Sequence, residues 1–462
     1  MAIGGGGSGD GVSSDGEGFM DGNVTARKDG AQGMPVGRTA ARPFLWGAGT
    51  SAHQVEGGNY RNDWWEWEQR PGAIKGGGRS GSACLHWERF EEDLDLLRAL
   101  GLDTYRFSVE WSRLEPDPGR YDDAALAHYR AVAAACRARG ITPIVTLYHF
   151  TIPRWFAGLG GWETHANLPH FVRLARWVGA GLGDLVDHWI TVNEPEVLGF
   201  YGYSSGAWPP GVADRSRALV VIANLLEAHA LASHALRDSD RVDADGDGRA
   251  TIIGVAKHWV LLEPRRRWHP LDHVAAAVQH RVFNEAVVHA LAGGPVDLSI
   301  PGAKPVCRRV DSLAGSSDFL GLNYYTRWMV TLFGKDSRSA KRGAPVSDLG
   351  WEIYPEGIER AIAECGAFGL PLLITENGIA DAADRWRGDF IRVTLAAIDR
   401  ARAAGADVRG YIHWSLMDNF EWADGYEGRF GLCSVDFDHP EGPRRPRSSA
   451  RVLAEEIAKR RG

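Results

Sequence analysis

The stretch HWERFEEDLDLLRALGLDTYRFSVEW (residues 86–111) contains the plan of the whole chain. Trp87, Phe90, Leu94 and Leu97 recur at three- and four-residue intervals, which puts them on one face of a helix. Gly101 follows, a residue suited to the left-handed backbone that ends a helix. TYRFSVEW (104–111) is short and rich in aromatic and β-branched residues, and reads as a strand.

Working outward, the same alternation repeats. Strands are expected at 44–49, 104–111, 141–150, 188–195, 251–259, 318–325, 371–378 and 408–415, with amphipathic stretches between them. Gly140 and Gly405 end two further helices. Eight β–α units in sequence imply an α/β fold with a parallel sheet, closed into a (β/α)8 TIM barrel as a single domain over residues 41–462. Residues 1–40 differ in kind: 12 of the first 37 positions are glycine, and this segment is expected to be a flexible, Gly-rich tail. Gly4, Gly6 and Gly9 match GxGxxG there only because glycine is abundant, with no strand before them.

Composition narrows the function. Lysine plus arginine is 52 and aspartate plus glutamate 59, so 52 − 59 = −7, and no basic block stands out, which argues against nucleic acid as a partner. The most apolar run, ALVVIANLLEAHALASHAL (218–236), is interrupted by Asn224, Glu227 and two histidines, so a core helix rather than a membrane span is expected. Five scattered cysteines form neither a CxxC pair nor a disulfide framework, which favours a reducing, cytoplasmic location and argues against structural zinc. No metal or other cofactor is expected, and the oligomeric state is left open. Eighteen tryptophans suit either a heavy core or a cleft that stacks on sugar rings.

In such barrels chemistry sits at the C-terminal ends of the strands. Those ends supply His149, Asn193, Glu194, Asn323, Tyr325, Glu376, Asn377 and Trp414, with Arg106 inside the second strand. Two carboxylates, on the fourth and seventh strands, are what glycoside hydrolysis requires: one acid for the leaving oxygen, one group for the oxocarbenium-like carbon.

At these residues the chain resembles glycoside hydrolase family 1, the β-glucosidase family. FLWGAGTSAHQVEGG, YRFSVEWSRLEP, VTLYHF, TVNEPEV, GLNYYTR, ITENG and WSLMDNFEWADGYEGRFGL occur in the family's order, from Phe44 to about Phe437. The resemblance implies a retaining β-glucosidase without cofactors. It would act on small β-glucosides or short oligosaccharides, with β-galactosyl and β-fucosyl groups also accepted; a β-galactosidase or transglycosylase of the same family is the alternative. By the same resemblance Glu194 is the acid/base, Glu376 the nucleophile, and Arg106 and Tyr325 its supports. Gln54, His149, Asn193 and Glu421 would bind glycone hydroxyls, with Trp414 under the sugar and Trp422 at its side. Glu194 is expected to begin protonated, raised by the nearby charge of Glu376. Glu421 would repel a 6-phosphate.

Other features compete. Trp208, Trp328 and Trp351 fit either the entrance or outer packing. FAGLGGWE (156–163) and the short loop after the sixth strand depart from the commoner family pattern and leave the aglycone open. GYSSG (202–206) matches a hydrolase elbow but lacks its strand–turn–helix context. DADGDG (243–248) begins like an EF-hand, yet its twelfth position is Gly254, so a turn is expected. A catalytically silent sugar-binding protein is the remaining non-enzyme reading.

Overall fold

Eight parallel strands close into one barrel: β1 Leu45–Gly49, β2 Thr104–Ser108, β3 Thr142–Tyr148, β4 His188–Asn193, β5 Ile252–His258, β6 Phe319–Asn323, β7 Leu372–Asn377 and β8 Val408–Trp414. Each pairs with its sequence neighbours, and β1 pairs with β8, Leu45 opposite Gly410 and Gly49 opposite Trp414. This computed structural model describes residues 43–332 and 338–462. The expected tail at 1–40 and its GxGxxG match lie outside the described residues. Pro43–Gly462 form one compact unit.

The helices after the strands run along the outside: α1 His86–Ala99, α2 Asp123–Ala138, α3 Leu168–Leu182, α4 Arg215–Ser239, α5 Pro270–His280, α6 Gly357–Gly366, α7 Arg387–Ala403 and α8 Ser448–Arg461. Gly101, Gly140 and Gly405 follow α1, α2 and α7 with φ of 74°, 65° and 101°, as glycine's freedom at helix ends allows. In α1 the buried face is His86, Asp93, Leu94 and Leu97, whereas Trp87 and Phe90 are half-buried. Trp87 instead stacks on His128, ring centres 3.6 Å apart, with the Arg113 guanidinium over the indole at 3.9 Å. The apolar α4 is a core helix: Asn224 donates to the Trp162 carbonyl, and His229 bonds to Thr191 and Ser317.

Two layers of apolar packing hold the barrel. Inside it, Leu45, Ile144, Ile190, Ile252, Ala256, Phe319, Leu373 and Ile412 meet, drawn from every strand except β2. Outside, a continuous core joins strands to helices, with Trp64, Trp111, Trp162, Trp189 and Trp259 fully buried. Most of the tryptophans that composition left unassigned are therefore structural or half-buried.

Seven of the eight observed strands, all but β1, stop short of the expected ones at their C-terminal ends. Side chains there take over from the ladder: Glu110, expected in the second strand, accepts from the Ser112 N–H and starts the short helix Trp111–Leu114. The ladder is also irregular where β4 meets β5, between Ile190 and Asn193, and where β7 meets both neighbours, between Ile374 and Glu376 or Asn377. Shifts of this kind re-aim side chains, and here they fall on the two strands carrying the paired glutamates.

Candidate active site

The barrel mouth opens into a cavity of about 230 Å³ whose wall includes His149, Glu194, His258, Tyr325, Glu376, Trp414, Glu421 and Trp422. Phe150, Glu194 and Trp422, all on that wall, have positive φ of 70°, 47° and 49°. Non-glycine residues adopt this conformation at a cost of about 1–3 kcal/mol, and such sites cluster where function fixes a side chain. Glu194 follows the last residue of β4; its N–H donates to the Ala256 carbonyl of β5 at 2.8 Å, and Pro195 starts the short helix Pro195–Leu198 behind it.

Arg106 ties the carboxylates into one network. It is fully buried; its Nη1 donates to Glu376 Oε1 and its Nη2 to Asn193 Oδ1 at 2.6 Å, while Nε reaches Thr146 Oγ1 at 3.2 Å. The Tyr325 hydroxyl donates to Glu376 Oε2 at 2.6 Å. Asn323 closes the other side, its Nδ2 donating to Glu194 Oε1 at 2.7 Å and to Asn193 Oδ1 at 3.3 Å. The amide of Asn193 keeps its Nδ2 without a protein partner among the described residues, a free donor beside the pair.

Gln54 is buried one layer behind the wall, its Nε2 donating to the Phe420 carbonyl at 2.9 Å, Asn419 Oδ1 at 3.1 Å and Glu421 Oε2 at 3.3 Å. His149 lies nearly parallel to Trp414 (13°) and Trp422 (15°), with ring centres 5.7 and 6.0 Å away. Its Nδ1 has no partner among the described residues. The ten residues singled out from sequence therefore gather at one place. Asn377, also on a strand end, does not join them: it donates to the Tyr324 carbonyl at 2.7 Å and accepts from Tyr411, a structural role. Trp208, Trp328 and Trp351 line the cavity, as do Phe200, Tyr201 and Phe283, so its outer part is aromatic.

Electrostatics sharpen the picture. Burial pushes the Glu376 carboxyl up to about 7, against Arg106 and Tyr325, which hold it down. At Glu194 burial also raises the carboxyl, but the neighbouring His258, the bonds from His258 and Asn323, and Arg106 outweigh it, and the net direction is down. That departs from the expectation that Glu194 holds the proton at rest: His258 compensates Glu194, and the repulsion between the carboxylates falls on Glu376. Burial, with Asp424 and Glu376 nearby, drives Glu421 well above the carboxylate range. Burial and Arg106 keep His149 neutral. Burial likewise holds the Tyr325 phenol protonated, able to donate.

His258 was absent from the sequence-derived set. Its Nδ1 lies 3.2 Å from Glu194 Oε1. The signal was a lysine and a histidine just before the final tryptophan of TIIGVAKHW, with a second acid, Glu196, two residues after Glu194. Lys257 is fully buried and pairs with Glu196 at 2.9 Å. The alternative motifs fall away. Ser204 lies in a helical turn, Gly199–Ser204, rather than at a strand–helix elbow. The DADGDG segment is a turn in which Asp243 accepts from the N–H groups of Gly246, Asp247 and Gly248. Asp187, close to Asp243 and Asp245, is already bound by Arg137 and the Ala244 N–H.

The family model for glycosyl hydrolase family 1 matches residues 38–462. The chain is 31% identical to a β-galactosidase from Pyrococcus woesei, over 91% of this chain and 97% of that protein. It is 32% identical to a 1,4-β-D-glucan glucohydrolase from Thermotoga neapolitana, over 86% and 97%. Among solved structures, a β-glycosidase from Pyrococcus horikoshii superposes with a TM-score of 0.80 at 37% identity, covering 90% of this chain and 96% of that one.

Proposed function

This chain belongs to glycosyl hydrolase family 1, and from that premise we propose that it is a β-glucosidase releasing terminal, non-reducing β-D-glucosyl residues with retention of configuration. One observation carries the reading: two buried carboxylates, Glu194 and Glu376, face a single cavity and are joined through Arg106, Asn193 and Asn323. Retention requires the two carboxylates to flank one bond about 5–5.5 Å apart. Relatives named for galactose and for glucan support turnover of both glucosides and galactosides.

In the proposed reaction the sugar lies on Trp414, with Trp422 and His149 beside it. Gln54, Glu421 and the free amide of Asn193 bind its hydroxyls. Glu376, held by Arg106 and Tyr325, attacks the anomeric carbon while Glu194 protonates the departing oxygen. Glu194 then takes a proton from the water that hydrolyses the glycosyl ester. Among the described residues no lysine or arginine lines the cavity to take a phosphate, which supports an unphosphorylated sugar. The aromatic outer wall supports apolar aglycones. Five unpaired cysteines support a cytoplasmic location.

The test follows the anomer of glucose first released from 4-nitrophenyl β-glucoside by proton NMR, beside a Glu376→Gln variant. β-Glucose and an inactive variant are expected. Initial α-glucose, or a variant at wild-type rates, refutes the mechanism, and no release by wild type would leave a sugar-binding protein.

A further inference from the structure

His258 occupies an unusual position. It lies on the cavity wall with Nδ1 3.2 Å from Glu194 Oε1, its ring stacked on Tyr325 (5.8 Å, 19°) and edge-on to Phe283. Its backbone is clamped on both sides. Glu196 Oε1 accepts the His258 N–H at 2.8 Å and Lys257 Nζ at 2.9 Å, and the same Nζ donates to the His258 carbonyl. A buried ion pair within two residues of both Glu194 and His258 thus fixes where the imidazole points. Such a pair is costly to bury, and fixing a geometry is a recognised return for it.

We propose that His258 is a positioning residue for the acid/base: clamped by Lys257 and Glu196, it holds the site's mobile proton on the Glu194 side and so leaves Glu376 ionised. This rests on the assignment of Glu194 as acid/base and Glu376 as nucleophile. The groups facing the pair are Arg106 from β2, Glu196 and Lys257 behind it, Asn323 at the end of β6 and Tyr325 just after it, Glu376 from β7, and Glu421 across the cavity. Of the two cations, Arg106 donates directly to Glu376 and Lys257 is paired with Glu196, and Phe283 adds no charge. Two buried carboxylates that repel one another share a proton unless a third base takes it, and His258 is that base beside Glu194.

The steps balance. One proton is shared between His258 Nδ1 and Glu194 at rest. As the bond from Glu376 to the anomeric carbon forms and the glycosidic C–O bond breaks, that proton passes through Glu194 to the leaving oxygen, and the aglycone departs as a neutral alcohol. In the second half, water's oxygen bonds to the anomeric carbon, the ester to Glu376 breaks, and water's proton returns to the pair.

The experiment compares pH profiles of kcat/KM for wild type, His258→Asn, His258→Gln and Glu194→Ala. Phenyl β-glucoside needs acid assistance, and 2,4-dinitrophenyl β-glucoside does not. Both histidine variants are expected to narrow the phenyl glucoside bell, with the alkaline limb moving to lower pH and kcat/KM at pH 8 falling by about tenfold, a modest share of what acid–base catalysis supplies. The dinitrophenyl substrate should be little affected there. An unmoved or alkaline-shifted limb overturns the proposal, as does rescue by glutamine, which would mean that His258 only orients Glu194. If Glu194→Ala slows both substrates equally, the acid/base assignment itself fails. A nitrogen-15 histidine NMR titration of the wild-type protein reads the pair without mutation: His258 must respond to a carboxyl titration, and an independent response also overturns the proposal.

Discussion

Replacing Tyr325 by phenylalanine removes one oxygen and tests how the nucleophile is kept ionised. The hydroxyl donates to Glu376 Oε2 at 2.6 Å, a length typical of a charge-assisted O–H···O⁻ bond. Hydrogen bonds to charged groups contribute about 1.5–3 kcal/mol. Tyr325 favours the ionised form of Glu376, so most of that energy enters the proton affinity of the carboxyl. At about 1.4 kcal/mol per unit, the loss corresponds to ~1–2 pKa units. The carboxyl already stands at about 7 because burial outweighs Arg106 and Tyr325, so Tyr325→Phe pushes it further up. The acid limb of kcat/KM therefore moves to higher pH by at least about one unit, and the rate at pH 7 drops roughly tenfold. Rates of 4-nitrophenyl β-glucoside hydrolysis at low substrate, from pH 4 to 10, measure the limb directly. An acid limb that stays put or moves to lower pH refutes the reasoning. A loss uniform across pH would place the tyrosine's contribution on the sugar instead.

Three further outcomes follow from the same structure. Because Glu376 is raised from its ordinary 4.5 to about 7, the folded protein binds a proton that the unfolded chain releases, and this group's contribution to stability declines as pH rises through that window. Glu376→Gln should therefore gain stability relative to wild type between pH 4.5 and 7, by up to about 3 kcal/mol; urea unfolding at both ends checks it, and a constant difference rejects it. Lys257→Met leaves Glu196 buried without its cation and should cost about 3–5 kcal/mol, with much of the loss recovered in the Lys257→Met, Glu196→Gln double variant. A double-mutant cycle without coupling would show the two groups to be independent. Glucosides carrying a 6-phosphate should show much lower kcat/KM than their parents, since among the described residues no lysine or arginine lines the cavity to receive the phosphate; the opposite order would remove the case for an unphosphorylated sugar.

The architecture was legible because its signals are local. All eight strands lie where β-branched and aromatic runs place them, and the glycines after α1, α2 and α7 have the expected positive φ. The strand ends were not legible, because the last residues leave the ladder for bonds that no periodicity records, as Glu110 shows with Ser112. The buried and half-buried parts of α1 also differ from a simple helical stripe. Asp93 is buried because Arg444, some 350 positions away, reaches it, while Trp87 is only half-buried beneath Arg113. Contacts between distant segments decide such cases.

The site divides along the same line. Reading strand ends located both glutamates, and the motif order supplied Gln54 and Glu421, which no strand end carries. Neither route reached His258, although it ends β5 beside the others. Its importance lies in pairing: an imidazole at a barrel mouth means little until Glu194 is found 3.2 Å away. That pairing also reverses the charge argument made from sequence. Two acids alone would raise one another, and the proton would fall on whichever is less compensated. With His258 and Asn323 on Glu194, and Arg106 and Tyr325 on Glu376, each carboxyl has two partners, yet Glu194 ends below its ordinary range while burial and the charge of Glu194 lift Glu376 to about 7. Raised to about 7, Glu376 keeps its charge at neutral pH only if a neighbouring base takes the proton instead. The clamp of Lys257 and Glu196 on His258 lies where that base is needed, just behind the left-handed turn at Glu194.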